Sequence, residues 1–149
     1  MLIEFSVTNF RSFRERQTLS MVAAARLGKK ENTFSPELTG EEFPDLLKAV
    51  AIYGPNASGK SNLLRALDVV SKIANRAPTP HLEPLPVAPF GFDRKLADQP
   101  SVFEFHFIRP GLRYSYELAA TPARTAGERL ASFPRDKASM IYERRYDPR

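Results

Sequence analysis

The reading of this chain turns on KAVAIYGPNASGKSNLLRAL, residues 48–67. A mostly apolar run, KAVAIYG, closes on Gly54 and reads as a short strand of the buried kind. A loop follows and ends in Gly59-Lys60-Ser61. Beyond it Leu63, Leu67, Val70 and Ala74 recur at helical spacing, joined by Leu64 and Ile73, which predicts a helix from Lys60 that stops before Pro78. GPNASGKS also satisfies the spacing G-x-x-x-x-G-K-[ST] at Gly54, Gly59, Lys60 and Ser61. Each residue type then has a physical task. Gly54 lets the chain leave the strand sharply, and Gly59 lets main-chain N–H groups approach phosphate oxygens with no Cβ in the way. Those amides and the helix N-terminus supply fixed positive potential. Lys60 would reach the outer phosphates, and the Ser61 hydroxyl would join a magnesium shell. The candidate nucleotide contacts are Gly54, Pro55, Asn56, Ala57, Ser58, Gly59, Lys60, Ser61 and Asn62. The competing reading is a Gly-Ser turn that caps a helix, with Lys60 solvated.

A phosphate cradle alone does not hydrolyse anything. Magnesium needs a carboxylate, usually at the end of a second buried strand, and water needs a group to orient it. FEFHFI runs into Arg109, and MIYERRYD offers Glu143 and Asp147 among arginines that make a poor buried strand. A convincing second motif is missing. The histidines, His81 and His106, are separated and there is no cysteine, so a zinc site is not expected and disulfides are excluded. Absence of cysteine suits a reducing cytoplasm. The chain has 149 residues, 42% hydrophobic, and a net charge of +5. That is enough for one domain with a core, and a balance that suits an anionic partner without identifying one. The start, MLIEFSVTNF, lacks a basic stretch followed by an apolar one and is not a secretion signal. No apolar run reaches membrane-spanning length, so no membrane partner is expected.

Elsewhere the periodicity is two. LIEFSVTNF places Ile3, Phe5 and Val7 on one face, NFRSFRER turns, and QTLSMVA reads as the hairpin partner. Residues 23–44 read as a polar loop. Residues 78–100 hold six of the chain's 13 prolines and read as a stiff surface connector, with an SH3-type ligand as the alternative. SVFEFHFI and LRYSYELA, then ERLASF and SMIYER, predict two hairpins, with Phe103, Phe105 and Phe107 sharing one face. The expected organisation is a single lobe: 1–77 with strands, loop and helix, 78–100 as connector, and 101–149 as antiparallel hairpins. Arg11, Arg14 and Arg16, with Arg144, Arg145 and Arg149, could touch nucleic acid or form a solvated face.

A strand ending in NFRSF followed by YGPNASGKSNLLRAL resembles the ABC-type ATPase heads of the SMC, RecF and OLD-like group. It is most similar to bacterial AAA family ATPases of the OLD-like kind, many of which belong to phage-defence systems. PFGFD, the SVFEFHF–YSYEL pair and ERLASFPRDKASMIYER extend the likeness over nearly the whole chain. The resemblance implies an α/β P-loop NTPase lobe with a mixed sheet, the loop's helix and an antiparallel β subdomain. It implies ATP and Mg2+ as cofactors. It further implies a second ATPase head, or a C-terminal lobe missing from these residues, that brings a signature motif, carboxylates and a switch histidine. An effector nuclease or toxin subunit is a possible partner. Arg11 matches an arginine that often lies near the nucleotide, and Asn56 matches the polar loop position. Ala57 stands where SMC-type loops more usually have glycine, which requires a negative φ there. Gln99 is the nearest candidate for the family's glutamine loop. Other P-loop classes fit less well: there is no N/T-K-x-D guanine motif, and an antiparallel second half does not suit a small-molecule kinase. A non-enzymatic module that binds nucleotide or a partner chain stays open.

Overall fold

The computed structural model describes residues 1–25, 30–39, 42–75 and 84–147. His81 and Arg149, and the first part of the proline-rich stretch, lie outside them. Its centre is one six-stranded antiparallel sheet in the order β2-β1-β5-β6-β7-β8. The strands are β1 (Leu2–Thr8), β2 (Gln17–Ser20), β5 (Ser101–Arg109), β6 (Leu112–Ala120), β7 (Thr125–Phe133) and β8 (Ser139–Arg145). β3 (Thr33–Phe34), inside the stretch expected to be a loop, pairs with β4 (Leu46–Leu47), just beyond it, as a separate two-stranded ladder. All three expected hairpins are present: β1 with β2, β5 with β6, and β7 with β8.

β1 lies directly beside β5, with Phe5 opposite Phe105 and Val7 opposite Phe103. The N-terminal hairpin and the later hairpins are therefore one continuous sheet, where a mixed sheet and a separate antiparallel subdomain were expected. Among the described residues every strand pairing is antiparallel.

One helix, α1 (Lys60–Ala74), lies on this sheet. Ala66, Val69, Val70 and Ile73 recur on one of its sides, and they close over Phe5, Val7, Phe10, Phe103, Leu118 and Ala120 to make the main core. The apolar stripe supplies the helix's stability, since fifteen residues alone would be marginal in water. On the other side of the sheet Ile3, Leu46 and Ile108 form a second, smaller core under Val22, Phe34, Leu38 and Phe43. Ile3 was expected beside Phe5 and Val7. The β1–β5 register slips between Leu2 and Glu4, and this irregularity sends Leu2 to the main core and Ile3 to the other.

Two further expectations give way. Residues 84–100 are not a plain surface connector. Val87 is buried in the main core, Leu85 N donates to Pro122 O, and a short helix, α2 (Arg94–Ala97), is capped by Asp93. KAVAIYG does not form a buried strand either. Ala49 to Gly54 carry no strand pairing and are exposed, with Tyr53 at 91%. The physical reason is the lack of a neighbour: the sheet's two edges are β2 and β8, and neither pairs with this segment.

Candidate phosphate-binding site

The loop between Tyr53 and α1 is curled. Ser58 N donates to Pro55 O at 3.3 Å, and the Lys60 ammonium folds back to donate to Gly54 O and Pro55 O, both at 2.7 Å. These two carbonyls hold the charge over the loop rather than in open solvent. Gly59 is the N-cap of α1 in the left-handed region, φ 95 and ψ 0. Its carbonyl accepts from Asn62 N (2.9 Å) and Leu63 N (3.1 Å). Among the described hydrogen bonds the amides of Lys60 and Ser61 have no acceptor, as expected for a helix's first turn. Such unpaired amides at the positive end of the helix are what an anion would meet. Ser61 is exposed on that turn.

Ala57 has φ 64, in the left-handed region. This corrects the expectation of a negative φ. An L-residue with a Cβ carries roughly 1–2 kcal/mol of strain there, so the loop takes the glycine-type conformation without glycine.

Beneath the loop sits the turn that follows β1. Asn9 and Arg11 both have positive φ, 53 and 51. Phe10 N donates to Phe13 O and Phe13 N donates to Phe10 O, each at 2.8 Å. This tight turn places Ser12 and Phe13 against the loop. A β-carbon on residue 59 would stand 2.9 Å from Phe13 Cε1 and 3.2 Å from Ser12 Oγ. Asn62 Nδ2 donates to Ser12 Oγ at 2.9 Å. A cleft of about 360 Å³ opens between the turn and the loop tip, lined by Ser12, Phe13, Arg14, Glu15, Gln17, Ala57 and Ser58. In NFRSF the sequence draws attention to Arg11, whereas Ser12 and Phe13 are the residues that meet the loop. The available signal was the serine-phenylalanine pair next to a glycine-lysine loop. Arg11 is exposed, its guanidinium lies over the Phe10 ring (5.6 Å), and its amide donates to Ala88 O.

The other candidates fall elsewhere. Arg14 pairs with Asp93 (3.0 Å) and Arg16 makes a bidentate bond to Glu104. Arg145 pairs with Glu143, and Arg144 with Glu128. These arginines are matched by carboxylates and do not form an unopposed cationic face. Gln99 sits just past α2 with its carbonyl bonded to Asn9. His106 lies on β5 opposite Glu4 and Ser115. Among the described residues no cluster of His, Asp and Glu could hold a metal by itself.

Away from the loop, Glu128 is buried and accepts from the Tyr116 hydroxyl. Burial first, and that hydrogen bond second, push the Tyr116 phenol far above its ordinary value of 10.0.

A glycine-bracketed, lysine-closed loop on a helix N-terminus places the chain among P-loop NTPases. Residues 49–149 match a family profile described as "AAA domain, putative AbiEii toxin, Type IV TA system". The chain belongs to that AAA-domain family, and so to the nucleotide-binding P-loop ATPases. No curated protein matches it. Domains of this class generally use ATP with Mg2+. Among the described residues no helix is long and apolar enough to cross a membrane.

Proposed function

We propose that this chain binds ATP with Mg2+ through Gly54–Asn62, as the N-terminal lobe of an OLD- or SMC-like ATPase in a cytoplasmic bacterial defence or DNA-related complex. The observation that carries this is the curled loop with Lys60 folded over it at the open end of α1. Lys60 exchanges its two carbonyl partners for phosphate oxygens. The Lys60 and Ser61 amides receive the phosphates, and the Ser61 hydroxyl takes a place on the magnesium. Hydrolysis needs a C-terminal lobe or a partner head carrying the carboxylates. The unpaired segment Val50–Tyr53 and the exposed Leu64 on α1 support that idea, because they offer apolar surface to such a lobe. An effector nuclease or toxin subunit would complete the assembly.

A second reading is a nucleotide- or partner-binding module without turnover. It is favoured by the lack of a metal-holding acidic cluster among the described residues. Phosphate release separates the two. The chain alone should release essentially none. Release should appear, and depend on Lys60, when a polypeptide bearing the acidic and signature motifs is supplied. Turnover by the chain alone, lost in Lys60→Ala, would contradict the two-part account.

A further inference from the structure

We propose that Ser12 is a positioning residue for the phosphate-binding loop, acting through Asn62 without touching the nucleotide. This inference rests on the reading of Gly54–Asn62 as that loop. Among the described residues, Asn62 Nδ2 to Ser12 Oγ (2.9 Å) is the one hydrogen bond that ties residues 54–62 to anything outside the loop and its helix. All the others are local. Packing reinforces it: Phe13 and Ser12 fill the space next to Gly59 that a side chain would take. The loop therefore has one polar tether, at the first turn of α1, where the unpaired amides are.

The tether is worth something only if its anchor is fixed, and it is. The turn bearing Ser12 is closed by the paired Phe10–Phe13 bonds and by Asn9 N donating to Arg14 O. Asn9 is buried. Its Nδ2 donates toward Leu96 O, Gln99 O and Pro100 O, and its Oδ1 accepts from Phe90 N. Its own carbonyl accepts from the Ser101 hydroxyl at the start of β5. Arg14 adds the pair with Asp93 on the outside. Ser12 thus stands on a bracket rooted in the sheet, and passes that rigidity to Asn62. An anion site made of main-chain amides depends on their relative placement, so a loose first turn weakens binding without removing any ligand atom.

The test has two arms, on the full chain. In the first, amide hydrogen exchange is followed for the peptide covering Gly59–Leu63 in wild type, Ser12→Ala, Ser12→Thr and Asn62→Ala. The last variant breaks the same bond without altering the turn. Exchange should quicken in both alanine variants, by roughly two- to tenfold for the loss of one hydrogen bond, and stay near wild type in Ser12→Thr. In the second arm a fluorescent ATP analogue is titrated with Mg2+. Ser12→Ala should weaken binding by roughly two- to tenfold. The double variant should be no weaker than Asn62→Ala alone, since both changes remove one bond. Unchanged exchange in Ser12→Ala, or additive losses in the double variant, would overturn the proposal. Failure of the wild type to bind the analogue would instead overturn the nucleotide reading, and the exchange arm would still decide the role of Ser12.

Discussion

Two residues of the loop sit in left-handed backbone, and only one of them is glycine. Gly59 at φ 95 has no room for a Cβ, because Phe13 Cε1 would be 2.9 Å away. Ala57 at φ 64 is accommodated but strained. The two positions should respond oppositely to exchange of alanine and glycine. Ala57→Gly should raise stability in urea unfolding by up to about 1 kcal/mol, the strain relieved less the extra unfolded-state entropy of glycine. Gly59→Ala should lower it by about 1–3 kcal/mol. The same sign for both would mean that the loop does not hold this backbone in solution. Tyr116 carries a pH signature. Its folded pKa lies above the unfolded value of 10.0, so the stability linked to it is whole below that pH and is lost as the pH rises toward the folded value. Tyr116→Phe should flatten the alkaline decline in thermal stability, and an unaltered slope would count against the buried Tyr116–Glu128 contact.

At the level of elements, Asn9 is the joint between the β1 turn and the segment before β5. Asn9→Asp removes a donor and sets a carboxylate against the carbonyls of Leu96, Gln99 and Pro100. The expected cost is at least about 2–3 kcal/mol in chemical denaturation, from several lost bonds and an uncompensated buried charge. A loss within about 0.5 kcal/mol, typical of a surface change, would contradict the joint. Hairpins and helix were legible in the sequence because each is set by a local period: alternation in SVFEFHFI, and recurrence every three to four residues from Leu63 to Ile73. Ile3 leaves the face that alternation predicts because the register slip is decided by pairing with β5, about a hundred residues away. Val87 departs from the surface connector that the prolines predict, because proline content reports backbone stiffness and says nothing of what the apolar residues between prolines touch. The G-x-x-x-x-G-K-[ST] spacing at Gly54–Ser61 was legible in the sequence. The closeness of Ser12 and Phe13 to Gly59 was not, since it exists only once the turn folds beneath the loop.

Across the whole molecule, exposed apolar side chains among the described residues gather beside the loop (Val50, Ile52, Tyr53, Leu64) and along β8 (Met140, Ile141, Tyr142). KAVAIYG reads as a buried strand because its composition is that of one, yet no described strand pairs with it. Ile52 and Tyr53 are exposed, and so is Leu64 on the nearby helix. A second apolar opening of about 630 Å³ lies between α1 and the sheet, lined in part by Leu67, Val70, Phe105 and Phe107. Exposed apolar area of this kind should bind a hydrophobic fluorescent dye and promote self-association. The paired change Ile52→Ser with Leu64→Ser should reduce both. A strictly monomeric chain that leaves the dye dark would contradict the account of an unpartnered lobe face.

We propose that Gly54–Asn62 grips a triphosphate. Isothermal titration of the chain with ATP and Mg2+ tests it most directly, alongside Lys60→Ala. The account predicts a saturable heat for the wild type and none for the variant. No heat from the wild type, or equal heats from both, would contradict it.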